Sequence, residues 1–180
     1  VGTPSFVEEL KNFGIWVTEE ADDDVDCVMV GFDSTLHYEK LIKACKLLFR
    51  KEVDFLGTNP DLRCPARFGF IPDCGAIGAM LTAATEREPY YIGKPNPIIA
   101  DLCMKQCNGR KEEFLVVGDR LYTDIACGIN AGIETAVVYT GEATKEEVKT
   151  SVWQPDYAFE TIQDLFLAVK EAKKAEGESR

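Results

Sequence analysis

The sequence contains few of the residues on which several common kinds of site depend. It has a single histidine, His37, and its 7 cysteines include no Cys-x-x-Cys pair, which disfavours a zinc ribbon. The odd number of cysteines also disfavours a disulfide framework and indicates reduced thiols, as in a cytoplasmic protein. Cys103 and Cys107 are four residues apart on a predicted helix, where two metal ligands could share one face. No third ligand accompanies them, so we expect them to pack in the core.

Long apolar runs and an excess of basic residues are absent as well. The apolar stretches fall well short of the ~20 residues that cross a bilayer. Acidic residues outnumber basic ones by 31 to 20, which gives a net charge of −11. Because this charge repels nucleic-acid backbones and anionic membranes, we expect neither as a partner. Apolar residues still make up 46% of the 180, enough for a packed core in one domain or two small ones.

Strand-like and helix-like segments alternate along the chain, which predicts an α/β fold with a mostly parallel sheet. The predicted strands are residues 27–30, 53–57, 90–93, 114–117, 135–139 and 158–159. The predicted helices are residues 5–13, 38–49, 76–84, 97–107, 121–131 and 161–174. Residues 62–75 are rich in proline and glycine and are expected to form a loop. We place two domains at residues 1–88 and 89–180, and we expect the polar tail from Glu176 to fray.

A buried strand followed by two carboxylates is the strongest local signal of chemistry. The run from Phe114 to Val117 ends at Gly118, and Asp119 follows at the carboxyl end of the strand, where open α/β sheets bind ligands. Asp124 begins the next helix. Two carboxylates in this position suit Mg²⁺, which prefers oxygen ligands. Equally, Asp124 could cap its helix and Asp119 could form a turn.

A second signal is the segment IGKPNP, in which a short strand ends at Gly93 and Lys94 follows. The prolines on either side of Asn96 stiffen this turn. A lysine fixed there can act as a point charge for a phosphate group. The alternative is a surface lysine that contacts only water.

Together, IGKPNP and VVGDRLYTDI resemble the third and fourth signature segments of the haloacid dehalogenase (HAD) superfamily of phosphatases. More narrowly, the chain resembles the nitrophenylphosphatase-like branch, which includes pyridoxal-phosphate, phosphoglycolate, nucleotide and sugar phosphatases. The segments VGFDSTLHYEKLIKAC, FLGTNPD and GINAGIETAVVYTGEAT extend the resemblance over nearly the whole chain.

The resemblance implies a fold, a cofactor and roles for individual residues. Residues 1–88 would form an α/β cap, and residues 89–180 would form part of a three-layer Rossmann-like core that lacks its first strands. Asp119 would bind Mg²⁺ directly, with Asp124 beside it in a metal-binding and catalytic role. Lys94 would bridge the transferring phosphoryl group and the nucleophilic carboxylate. The substrate would be a small phosphorylated metabolite, and the protein would form a homodimer through its cap.

The family's nucleophile, the first aspartate of a DxDGT-type segment, has no counterpart that we can identify. The acidic stretch at residues 22–26 precedes its strand and is interpreted as a solvated loop. Asp33 follows an apolar run but has no second aspartate two residues later. Because the chain also begins at Val1, we expect it to be cut from a longer protein and inactive alone. The alternative is a catalytically inactive relative that serves as a dimerisation or ligand-binding module.

The segment from Thr58 to Pro65 resembles the neighbourhood of the family's substrate-specificity loop. The resemblance implies that Asn59, Asp61 or Arg63 contacts the leaving group. The alternative is a turn built on Asn-Pro-Asp. Arg63 and Cys64 stand where pyridoxal-phosphatase-like members carry an aromatic or histidine-bearing segment, which disfavours a vitamin phosphate as the substrate.

Overall fold

The computed structural model describes residues 1–178, with side-chain surroundings as far as Lys174. The chain divides into two compact units, residues 1–93 and the residues from Lys94 onward. The alternation of strands and helices confirms the predicted α/β class. Within the part of the chain that the structure describes, no helix has the length and apolar character that crossing a membrane requires.

The first unit contains a parallel sheet and a separate hairpin. Its elements are α1 (Pro4–Asn12), β1 (Cys27–Val30), α2 (Tyr38–Leu48), β2 (Asp54–Gly57), β3 (Arg63–Ala66), β4 (Gly69–Pro72), α3 (Cys74–Thr85) and β5 (Tyr90–Tyr91). The parallel sheet has the order β1-β2-β5, with Val28 opposite Phe55 and Leu56 opposite Tyr90. Val30, Val53 and Leu81 are among the side chains that the sheet and its helices bury.

A buried ion pair joins three parts of the first unit. The Asp33 side chain is fully buried, and Lys40 on α2 donates to its Oδ2 at 2.7 Å and to the Gly2 carbonyl at 2.8 Å. Thr35 donates to Asp33 Oδ1 through its backbone N–H and its hydroxyl. Burial alone raises the pKa of Asp33, but the hydrogen bonds from Lys40 and Thr35 outweigh burial and lower it overall. Since both oxygens are engaged, Asp33 acts as a structural carboxylate.

The second unit contains the other parallel sheet. Its elements are α4 (Ile98–Cys107), β6 (Leu115–Gly118), α5 (Ala126–Ala131), β7 (Glu134–Val138), α6 (Lys145–Thr150), β8 (Tyr157–Phe159) and α7 (Ile162–Glu178), with a π-helical turn at Leu121–Ile125. The strand order is β6-β7-β8, with Val117 opposite Ala136. Ile125 and Val137 are fully buried beside the π-helical turn, and Trp153 packs against them.

The expected loop at residues 62–75 is wrong, because β3 and β4 pair there as an antiparallel hairpin. The prediction of a loop rested on the prolines in this segment, which in fact lie within the two strands. Pro65 and Pro72 lie in a two-stranded hairpin, where a missing N–H costs little because each strand pairs on one side only. Gly69 has a φ of +135°, which lets the chain reverse between the strands.

Three further differences concern element ends and burial. The compact units divide a few residues after the predicted domain boundary, because β5 pairs with β2. Cys103 and Cys107 are exposed, not packed in the core, because α4 buries Ala100 and Met104 instead. Helix α7 continues through most of the tail expected to fray, and the end of that tail, Ser179 and Arg180, lies outside the described residues.

Candidate active site

The second unit gathers its polar side chains at the carboxyl ends of β6 and β7. We call this region the crest: Lys94, residues 118–124 and residues 139–143. Asp119 follows the last residue of β6, and residues 139–143 follow β7. Because neighbouring parallel strands end at the same edge of a sheet, the two loops lie side by side.

Asp124 is the hydrogen-bonding centre of the crest. Its side chain is 9% exposed. Its Oδ2 accepts hydrogen bonds from the backbone N–H groups of Asp119 at 3.2 Å and Arg120 at 3.1 Å. Its Oδ1 accepts one from Lys94 Nζ. A side chain at Gly118 would overlap the Asp124 carboxylate, so this position requires glycine. Asp124 therefore ties the end of β6 to the Lys94 loop.

Lys94 pairs with Asp124 through its ammonium group and is still half exposed to solvent. Its side chain remains 51% exposed although its ammonium group pairs with Asp124. Helix α5 anchors the loop that follows, because Asn130 Nδ2 donates to the Pro95 carbonyl at 2.9 Å. Cys127 Sγ also donates to the Asn96 carbonyl at 3.3 Å, and burial raises the pKa of that thiol. Lys94 is thus a fixed cation with one side accessible to an anion.

The loop after β7 donates two backbone hydrogen bonds to Asp119. Its Oδ2 accepts a hydrogen bond from the Glu142 backbone N–H at 2.9 Å, and its carbonyl accepts one from Ala143 N–H at 2.8 Å. A side chain at Gly141 would overlap the Asp119 carboxylate. The loop thus engages one of the two carboxylate oxygens, Oδ2, and fixes the orientation of the Asp119 side chain.

Glu142 also belongs to the crest, although neither sequence motif contains it, and its carboxylate has two partners there. Arg120 Nε lies 2.9 Å from Glu142 Oε2, and the Tyr122 hydroxyl donates to Glu142 Oε1 at 3.2 Å. Both partners follow closely after Asp119 in the chain. The signal in the sequence is Gly141, the residue before Glu142, because Asp119 and Lys94 also stand directly after a glycine.

The carboxylates of the crest fit part of a Mg²⁺ site. Asp119 offers carboxylate oxygens of the hard type that Mg²⁺ prefers. Both oxygens of Asp124 are engaged, so this residue is suited to orient the site and not to bind a metal alone. Among the described residues, no group of three or more His, Cys, Asp or Glu side chains could hold a metal ion. The remaining ligands would be water, substrate or residues outside this sequence.

The other three predicted site residues belong to the first unit. Asn59 Oδ1 accepts a hydrogen bond from the Asp61 backbone N–H at 3.0 Å, which is the turn geometry proposed as the alternative. Arg63 begins β3, and its guanidinium lies 4.4 Å from the centroid of the Phe70 ring on β4. The three residues thus follow β2 in one turn and the start of the hairpin.

Comparison with known proteins points to one group of enzymes. Residues 91–165 match the family described as HAD-hydrolase-like. The chain is 40% identical over 158 residues to an acid sugar phosphatase from Staphylococcus haemolyticus, covering 88% of this chain and 59% of that protein. It is 32% identical over 165 residues to a dihydroxyacetone phosphatase from Corynebacterium glutamicum, covering 92% of this chain and 58% of that protein.

Solved structures agree with these relatives. A 4-nitrophenylphosphatase from Thermotoga maritima superposes with a TM-score of 0.83 at 41% identity, covering 91% of this chain and 62% of that one. A p-nitrophenyl phosphatase from Archaeoglobus fulgidus also gives 0.83, at 30% identity, covering 92% of this chain and 64% of that one. The chain therefore spans about three fifths of the length of the proteins it resembles.

Proposed function

Because the chain belongs to the haloacid dehalogenase superfamily, as its motifs predict, we propose that it forms part of a Mg²⁺-dependent phosphomonoester hydrolase. One observation carries the proposal: Lys94, Asp119 and Asp124, predicted from two separate motifs, converge on one crest. Phosphoryl transfer depends on positive charge positioned beside the transferring group. The crest offers a fixed lysine and a carboxylate suited to a cation, which are two of the parts that this reaction requires.

Each residue of the crest receives a role from its geometry. Lys94 binds the phosphoryl group with the exposed side of its ammonium. Asp119, oriented by the Glu142 backbone N–H, would hold Mg²⁺, which would supply positive charge to the phosphoryl group. Asp124 has the catalytic role of holding Lys94 at the correct distance from the strand end, and it lies beside the metal. In these roles the three residues would fix the charges of the site before the substrate binds.

The nucleophile of this reaction lies outside the 180 residues in our proposal. The reaction would proceed through an aspartyl-phosphate, which needs a third carboxylate at the crest. Among the described residues no such third carboxylate accompanies Asp119 and Asp124 in a metal-binding cluster. Asp33 is engaged by Lys40 and Thr35 in the first unit. The chain alone should therefore bind phosphate and Mg²⁺ weakly and should not turn over.

The same observation favours a second candidate function. A family member without a nucleophile could serve as a dimerisation or ligand-binding module. The intact mass of the natural protein separates the two functions. A mass about 8 kDa above the 20.0 kDa of this chain, with a DxDGT segment in the added residues, supports the hydrolase. A mass of about 20 kDa supports the binding module.

For the substrate we propose a small phosphorylated metabolite, with the first unit as a cap that selects it. The named relatives are an acid sugar phosphatase and a dihydroxyacetone phosphatase. Asn59, Asp61 and Arg63 would contact the leaving group. In support, one turn and the start of the hairpin carry all three, and the Phe70 ring supports the Arg63 guanidinium.

We also propose that the protein forms a homodimer through the first unit and works in the cytoplasm. The first unit exposes Trp16, Phe68 and Phe70, and exposed aromatic residues are enriched at protein interfaces. All 7 cysteines are free, as in a reducing compartment. Sedimentation at tens of micromolar should give a dimer mass, and a monomer there contradicts the assembly.

The activity test is hydrolysis of p-nitrophenyl phosphate with Mg²⁺. The 180-residue chain should show only background release. An extended protein that includes a DxDGT segment and its strand should show Mg²⁺-dependent release. Robust turnover by the 180-residue chain, purified from a host without such phosphatases, would show that the nucleophile is misplaced. Asp33 would then be the first residue to substitute.

A further inference from the structure

The contacts of Asp119 place Glu142 in a closed ring of interactions. The Glu142 backbone N–H donates to Asp119 Oδ2 at 2.9 Å. The carboxylate of the same Glu142 pairs with Arg120 Nε at 2.9 Å and accepts from the Tyr122 hydroxyl at 3.2 Å. Since Arg120 and Tyr122 follow closely after Asp119 in the chain, the side chain of Glu142 holds its own backbone N–H against the Asp119 carboxylate.

We propose that Glu142, held by Arg120, is a positioning residue for Asp119 and sets its affinity for a divalent cation. The inference rests on the proposed metal role of Asp119. Glu142 itself does not bind the cation, because its two oxygens are directed to Arg120 and Tyr122. Its effect passes through one backbone N–H.

The physical reason lies in the rotation of a carboxylate. An aspartate beside a strand end can turn about its side-chain bonds, and each orientation points different oxygens at the ligand. A hydrogen bond from Glu142 N–H to Oδ2 selects one orientation of the carboxylate and so fixes the position of Oδ1. Gly141 is required for this contact, because a side chain at that position would overlap the Asp119 carboxylate.

The ion pair contributes little stability, which makes the test practical. The side chains of Arg120 and Glu142 are 21% and 37% exposed. Partly exposed ion pairs contribute little to the free energy of folding. Partners that orient a metal ligand, in contrast, typically change metal affinity 10- to 100-fold, and we expect about 10-fold here. Breaking the ring should therefore weaken cation binding without unfolding the unit.

The experiment is a Mg²⁺ titration of the full 180-residue chain, followed by the ¹H–¹⁵N NMR signals of Asp119, Gly141 and Glu142. The variants are Glu142→Ala, Glu142→Gln and Arg120→Gln. The control is Glu146→Ala, which removes the partner of Lys149 in another exposed ion pair of the same unit, away from Asp119. Retained chemical-shift dispersion shows that each variant folds.

We expect weak, saturable binding by the unsubstituted chain and by the control. Glu142→Ala and Arg120→Gln should each raise the Kd about 10-fold. Glu142→Gln, which keeps the length and one acceptor oxygen, should fall between them and the unsubstituted chain. It keeps the test valid if Glu142→Ala fails to fold.

Two results overturn the inference in distinguishable ways. If the unsubstituted chain binds and the Glu142 and Arg120 variants match its Kd within about twofold, the positioning role is wrong and the proposed function stands. If the unsubstituted chain shows no saturable shift up to about 50 mM Mg²⁺, a concentration far above that of a specific site, the metal role of Asp119 falls and the inference falls with it.

Discussion

Replacing Asp124 by asparagine tests whether this carboxylate holds the crest together. The substitution preserves shape and one acceptor oxygen, which can still accept from the backbone N–H groups of Asp119 and Arg120. It places an amide N–H₂ or a neutral oxygen against the Lys94 ammonium. A hydrogen bond between charged groups contributes about 1.5–3 kcal/mol, and the two backbone donors also lose a charged acceptor. Because Lys94 is half exposed and regains water, we expect a total loss of about 2–3 kcal/mol.

The assay is urea denaturation followed by tryptophan fluorescence. The chain has 2 tryptophans, one in each unit, and Trp153 packs beside the turn that carries Asp124. In a Trp16→Phe background, the signal therefore reports the second unit alone. The matched control is Glu171→Gln on the exposed part of α7, which should change the free energy of unfolding by less than about 0.5 kcal/mol. If Asp124→Asn unfolds within about 0.5 kcal/mol of that control, Asp124 is not the centre we describe.

Three other outcomes are expected. Asp33→Asn should destabilise the first unit by about 3 kcal/mol, because it leaves Lys40 without its buried partner; urea curves read by Trp16 measure this, and an unchanged midpoint contradicts it. Since the pKa of Asp33 is lowered, ionised Asp33 contributes fully to the free energy of unfolding above the ordinary pKa of 3.8, and this contribution is lost as pH falls through the lowered pKa. Unfolding measured as a function of acid pH should show this loss in the unsubstituted chain and not in Asp33→Asn. Gly141→Ala should displace the loop from Asp119 and cost about 1–3 kcal/mol, whereas an unshifted Glu142 N–H signal and unchanged stability would refute the contact.

The crest could be predicted in part because Asp119 and Lys94 each follow a glycine near the end of a strand. Asp119 stands directly after β6, at the carboxyl end where parallel sheets bind ligands, and Lys94 reaches the same crest through its ion pair with Asp124. The interpretation of Lys94 as a free surface lysine fails because Asp124 engages it. Glu142 could not be predicted, since its role depends on contacts with Arg120 and Tyr122 some 20 residues away in the chain.

The elements that were mispredicted share a local cause. Proline in residues 62–75 argued for a loop, but a hairpin paired on one side only tolerates it. Cys103 and Cys107 were assigned to the core by residue type, and the position of α4 on its sheet decided otherwise by burying Ala100 and Met104. In both cases the neighbouring strand or sheet, which local composition does not specify, set the outcome.

The most direct test of the hydrolase is the activity of the natural full-length protein against p-nitrophenyl phosphate with Mg²⁺, measured beside its Lys94→Ala and Asp119→Asn variants. The exposed Glu171→Gln variant serves as the control. We predict Mg²⁺-dependent release of phosphate, with kcat/KM at least about 100-fold lower in each crest variant, on the order of 3 kcal/mol, and unchanged in the control. Crest variants that retain kcat/KM within about threefold of the unsubstituted protein would contradict the assignment of this crest as the phosphatase site.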